Sequence, residues 1–133
     1  MIIGLGTDLC DIARVAKTLK RFPGRFENRL YTEREQARAE RRAHNRDGRY
    51  AQMFAAKEAC SKALGTGFRK GVFWRHMEVV HLRSGKPTME LSGGALARMQ
   101  ALTPEGMRAQ VELSLTDESG LANAVVIIFA VPD

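Results

Sequence analysis

Glu58 and Lys62 lie four residues apart in the run Phe54-Ala55-Ala56-Lys57-Glu58-Ala59-Cys60-Ser61-Lys62-Ala63-Leu64, which Gly65-Thr66-Gly67 follows at once. The run reads as an Ala-rich helix that stops at a glycine. On a wheel of about 100° per residue, Met53, Ala56, Cys60, Ala63 and Leu64 share one face, and Phe54, Glu58, Ser61, Lys62 and Gly65 fall near the opposite one. A hard-metal ligand, a phosphate partner and a backbone open to close approach are thereby grouped. Taken alone, Glu58 and Lys62 are also an ordinary surface helix pair, worth about 0.2–0.5 kcal/mol. Likewise Ser61 alone is a tolerated helix residue, and Gly65 and Gly67 alone are a cap and a turn.

A second carboxylate comes from the N-terminus. Met1-Ile2-Ile3-Gly4-Leu5-Gly6-Thr7-Asp8-Leu9 is an apolar strand interrupted by two glycines. Glycine weakens a strand unless backbone or ligand must come close. The strand ends at Asp8, and Asp11 then caps a helix. Carboxylates on separate elements can share one hard cation that also holds a diphosphate, since Mg²⁺ takes one or two carboxylates together with phosphate oxygens and water.

The segments IIGLGTDLCDIARV and FAAKEACSKALGTG resemble the holo-acyl-carrier-protein synthases, the small bacterial type of 4′-phosphopantetheinyl transferase. The resemblance covers nearly the whole chain, including Gly85-Lys86-Pro87 and Thr116-Asp117-Glu118. It departs at two places: Met53 stands where family members often carry Arg, and Asp117 where some carry His. The resemblance implies transfer of the 4′-phosphopantetheine arm of coenzyme A to a serine of acyl carrier protein, in support of fatty acid biosynthesis. Asp8 and Glu58 would hold Mg²⁺, and Lys62 would offset diphosphate charge. Glu58 would also draw the serine proton, directly or through a metal-bound water. Ser61, Lys62, Gly65, Thr66 and Gly67 would line coenzyme A. The implied architecture is the α+β phosphopantetheinyl transferase fold, assembled as a homotrimer with active sites between subunits.

The elements that must position these groups follow from local signals. Residues 1–9 read as a strand and 11–21 as a helix, broken by Pro23-Gly24. Thr32-Glu33-Arg34-Glu35 is a capping box opening a polar helix to about residue 43. The motif helix spans 49–64, and a glycine-rich turn follows over 65–71. Strands are expected at 77–82 and 88–92 around a Ser84–Pro87 turn, a short helix at 95–102, and strands at 109–116 and 122–131. The last strand is apolar on both faces, so it must be central or covered by a partner. Strands and helices without strict alternation indicate α+β with a mainly antiparallel sheet.

Composition bounds the rest. The 133 residues fit one domain, 1–133, and carry a formal charge of +6, which favours an anionic partner. Arg14, Lys17, Lys20, Arg21, Arg25 and Arg29 crowd the first helix and the turn after it, interleaved with Phe22 and Phe26. Charge steers encounter and aromatics anchor it, so this is a docking surface for an acidic protein. The resemblance makes that partner acyl carrier protein, met by Arg14, Phe22, Arg25, Phe26 and Arg29. A second run, Arg34, Arg38, Arg41, Arg42, Arg46 and Arg49, reads as a solvated face diluted by Glu33, Glu35 and Glu40. The rival function is a non-catalytic basic module binding RNA or an acidic protein. Aromatic content of 7% and the lack of an RNA-reading or helix-turn-helix signature argue against nucleic acid. No apolar run spans a membrane, and no secretory signal opens the chain. Cys10 and Cys60 form no disulfide framework, and the three histidines show no zinc spacing with them. A reducing cytoplasm is the expected compartment.

Overall fold

A computed structural model describes residues 1–133. Strand β1 (Ile2–Asp11) runs into helix α1 (Ile12–Arg21), then α2 (Arg25–Leu30), α3 (Glu33–Glu40) and the long α4 (Arg46–Leu64). A 3₁₀ turn at Trp74–His76 leads to β2 (Met77–His81) and β3 (Pro87–Leu91), followed by α5 (Gly93–Leu102), β4 (Met107–Glu118) and β5 (Leu121–Pro132). The architecture is α+β. One antiparallel sheet has the order β1-β5-β4, and β2-β3 forms a separate hairpin. The apolar β5 is therefore the central strand, as its sequence requires.

The local devices act as expected at several ends. The Asp11 carboxylate accepts from Ala13 N at 2.9 Å and caps α1. Thr32 and Glu35 close the reciprocal box at the start of α3. Gly65 ends α4 at φ +77°, the left-handed conformation that favours glycine. Several boundaries differ from the sequence reading, and β1 runs on to Asp11, past Asp8 where the strand is expected to end. After Pro23-Gly24 the chain folds into α2 instead of a plain turn. The polar α3 ends at Glu40, short of residue 43, and α4 begins three residues earlier than expected.

Helix α4 lies across the inner face of the three-stranded sheet, with Cys10, Leu113, Ala122, Ala124, Val126 and Ile128 in the shared core. Gly4 and Gly6 set the distance. A Cβ on Gly6 would lie 1.9 Å from the Ala59 carbonyl oxygen, and one on Gly4 2.4 Å from that of Ala63. The glycines that interrupt β1 thus let helix backbone rest on strand backbone. The opposite face of the sheet stays open: Leu5 and Leu9 are more than three-fifths exposed, beside the half-buried Val125, Ile127 and Phe129. No helix is long and apolar enough to cross a membrane.

Candidate active site

The close contact between β1 and α4 builds the site. Side chains alternate along a strand, so Asp8 follows Gly4 and Gly6 on the face turned to α4. Asn123 holds its backbone, donating from Nδ2 to the Asp8 carbonyl oxygen at 3.0 Å. From α4, Lys62 Nζ donates to the Thr7 carbonyl oxygen at 3.0 Å and to Asp8 Oδ1 at 3.2 Å. Glu58, one helical turn earlier, is half-buried. Burial raises its pKa above the ordinary carboxylate value; Asp8 adds to the rise and Lys62 opposes it. Asp8, Glu58 and Lys62 thus lie within one electrostatic field, 50 residues apart in sequence between the first and second carboxylate.

The donor set suits a hard cation shared with a ligand. Two carboxylates offer oxygen, and nowhere do three or more His, Cys, Asp or Glu side chains converge. A cation here would need further oxygens from elsewhere, which diphosphate and water supply. The like-charge interaction that raises Glu58 is what such an ion relieves. Cys10, on the inner side of the same strand, is inert by comparison: burial and then Asp8 push its thiol up to about 11.

Ser61 departs from the wheel reading. It is buried, at 1% exposure, and its hydroxyl donates to the Glu58 carbonyl oxygen at 2.7 Å. Helix α4 is enclosed on more than one side, so a two-faced wheel mislocates this residue. Thr66 is nearly buried and donates to the Gly67 carbonyl oxygen at 3.0 Å. Gly65 is exposed and Gly67 partly so, with Gly67 N donating to the Ser61 carbonyl oxygen at 3.2 Å.

Of the docking residues, Phe22, Arg25, Phe26 and Arg29 border a cavity of about 370 Å³ between α1, α2, α4 and the 3₁₀ turn, and Arg14 does not line it. Phe22, Phe26, Leu30, Phe54 and Trp74 supply its apolar wall, and Arg25 and Arg29 its rim. Arg14, Arg25 and Arg29 are exposed, and none of them joins an ion pair. Trp74 and Thr18 are members that the charge pattern of the sequence does not reveal. The second basic run behaves differently. Arg34 binds Glu78 and Glu90, Arg46 binds Glu40, and Arg49 caps the Ala39, Arg42 and His44 carbonyls. Glu40 makes the expected local pair, but Glu35 is buried and bound to Lys57, so it does not dilute the surface.

This geometry has close relatives. The model of the 4′-phosphopantetheinyl transferase superfamily matches residues 4–116. The holo-[acyl-carrier-protein] synthase of Bradyrhizobium diazoefficiens is 59% identical, over 99% of this chain and 97% of that protein. The crystal structure of holo-[acyl-carrier-protein] synthase from Neisseria meningitidis superposes with a TM-score of 0.82 at 32% identity, covering 97% of this chain and 99% of that one. The Helicobacter pylori holo-[acyl-carrier-protein] synthase, solved in complex with coenzyme A, gives 0.79 at 28% identity, covering 94% and 99%.

Proposed function

The chain belongs to the 4′-phosphopantetheinyl transferase superfamily, and we propose that it transfers 4′-phosphopantetheine from coenzyme A to a serine of apo-acyl carrier protein. The products are holo-acyl carrier protein and adenosine 3′,5′-bisphosphate. The observation that carries this reading is the meeting of Asp8, Glu58 and Lys62 at the glycine seam between β1 and α4.

Each residue has a distinct task. Glu58 draws the proton from the attacking serine, directly or through a water. The serine oxygen bonds to the phosphorus that bears the pantetheine arm, and the phosphoanhydride bond to the nucleotide breaks. Lys62 offsets charge on the diphosphate, and its lodging against Thr7 and Asp8 keeps the ammonium oriented before substrate arrives. The exposed backbone of Gly65 and the Thr66-Gly67 turn line the nucleotide. Ser61 contributes from beneath, with its hydroxyl committed to α4. Asp8 and Glu58 would hold Mg²⁺, which when bound neutralises diphosphate charge and stabilises the leaving group.

Residues 1–133 act as one transferase domain in support of fatty acid biosynthesis, in the reducing cytoplasm that two free buried cysteines suit. The open apolar face of Leu5, Leu9, Val125, Ile127 and Phe129 supports assembly as a homotrimer. Arg14, Phe22, Arg25, Phe26 and Arg29 receive the acidic carrier. The test is to incubate the protein with coenzyme A, Mg²⁺ and apo-acyl carrier protein, then weigh the carrier. A gain of one phosphopantetheine supports the reading. An unchanged carrier, with salt-dependent binding to RNA instead, would favour the non-catalytic basic module.

A further inference from the structure

Lys57 precedes Glu58 in the sequence, yet its side chain leaves α4 in another direction and is wholly buried. Its ammonium has three hydrogens, and three acceptors surround it: Glu35 Oε1 at 2.9 Å, the Trp74 carbonyl oxygen at 3.1 Å and the Met77 carbonyl oxygen at 2.8 Å. None is left for a phosphate. Glu35 is equally buried. Its Oε1 also accepts from Thr32 N at 2.8 Å, and its Oε2 from Val79 N at 2.8 Å. One ion pair therefore ties α3, α4, the 3₁₀ turn and β2 together.

The tie ends at Trp74. Its indole stacks on Phe68 at a centroid distance of 3.7 Å and on Phe54 at 5.2 Å. The same ring is a wall of the cavity rimmed by Arg25 and Arg29. Beyond the stacking, the turn's carbonyl is held by Lys57 and by the Met77 N–H that closes the turn. Resting on the carrier docking proposed above, we propose that Lys57, fixed by Glu35, is a positioning residue for that docking: it sets the place of Trp74 and hence the width of the cavity. Its effect falls on the carrier and not on coenzyme A, whose proposed partners lie toward β1 and Gly65.

The chain has a single tryptophan, so its emission reports this wall alone. Removing one partner strands a buried charge, whereas replacing both is far better tolerated. The variant is therefore the double Glu35→Gln, Lys57→Met. It should melt cooperatively and bind coenzyme A as the unsubstituted protein does, by calorimetry. Its KM for apo-carrier should rise by about tenfold with kcat little changed, and acrylamide should quench Trp74 more steeply. If the double variant does not melt cooperatively, Glu35→Asp, which keeps both charges and shortens the reach, is read by the same measurements for a smaller change in the same direction. Unchanged carrier KM and unchanged quenching in a folded variant would overturn the proposal. So would a loss of coenzyme A affinity as large as the rise in carrier KM. Absence of transfer by the unsubstituted protein would instead overturn carrier modification, and this role with it, while quenching still reports whether the pair places Trp74.

Discussion

Lys62 reaches off its helix to the strand beside it: Nζ lies 3.2 Å from Asp8 Oδ1 and 3.0 Å from the Thr7 carbonyl oxygen. The carboxylate four residues earlier on its own helix, Glu58, is not its ion-pair partner. The Glu-to-Lys spacing is thus not used as a surface helix pair. It places an ammonium against the Asp8 carboxylate and within electrostatic reach of Glu58, close in sequence to the exposed glycine that ends α4. Replacing Lys62 with Met should lower turnover by about tenfold or more, as expected for a lost transition-state contact. Its side chain is 53% exposed, so the thermal melt should shift little, consistent with about 0–1 kcal/mol for an exposed pair. Steady-state kinetics and a melt on the same sample check both halves.

Gly6 is a pure test of space, because its backbone needs no left-handed conformation. Gly6→Ala would drive a methyl into the Ala59 carbonyl oxygen at 1.9 Å. The helix must lift or the strand must shift, at a cost of about 1–3 kcal/mol. Because the same seam aligns Asp8 with Glu58 and Lys62, transfer should fall together with the melting temperature.

Glu58 carries a sign that differs from that of a salt-bridged acid. Burial, and then Asp8, raise its folded pKa above the unfolded value, so the native state binds more protons between the two. Its contribution to stability therefore falls as pH rises from the ordinary carboxylate value through the raised one. Glu58→Gln should abolish transfer yet leave the metal-free protein as stable or more stable above that window. Thermal melts across pH, compared with the unsubstituted protein, give the result. In the active protein Mg²⁺ held by Glu58 would lower that pKa, so the window over which transfer rises with pH should lie below the metal-free one.

Much of this site is legible in the sequence. The interrupted strand, the glycine that ends α4 and the apolar β5 each express a local rule, and each rule is obeyed. The failures share a cause. The wheel assigns α4 two faces, but the sheet, α1, β2 and the 3₁₀ turn surround it, so Ser61 is buried although it falls on the polar side. Glu35 and Lys57, 22 residues apart, look like surface charges until α3 and β2 fold over them. Helix α2 is short and follows Pro23-Gly24, so it has no periodicity to show before tertiary packing seats Leu30.

The open sheet face should be covered by other copies of the chain. Leu5→Lys or Ile127→Lys, each on that face, should shift the proposed trimer toward monomer. Light scattering at micromolar concentration measures the mass directly. A monomer mass for the unsubstituted protein would remove the trimer from the account.

The Arg25 rim should act on the carrier. Arg25→Glu should slow association with apo-acyl carrier protein and alter its salt dependence, while coenzyme A binding stays nearly unchanged. Arg14→Glu should also weaken the carrier, with some loss for coenzyme A because α1 follows directly on the strand that carries Asp8. Separate titrations with the two ligands distinguish them, and equal losses at Arg25 would place that residue in the nucleotide site or the structural core.

Asp8 and Glu58 together support phosphopantetheine transfer in the reading proposed above. The direct measurement weighs apo-acyl carrier protein after incubation with coenzyme A, Mg²⁺ and either the unsubstituted protein, Asp8→Ala or Glu58→Ala. A carrier heavier by one phosphopantetheine is expected with the unsubstituted protein, and almost no modified carrier with either variant, both of which remain folded. Near-normal modification by either variant at saturating Mg²⁺ would contradict that reading.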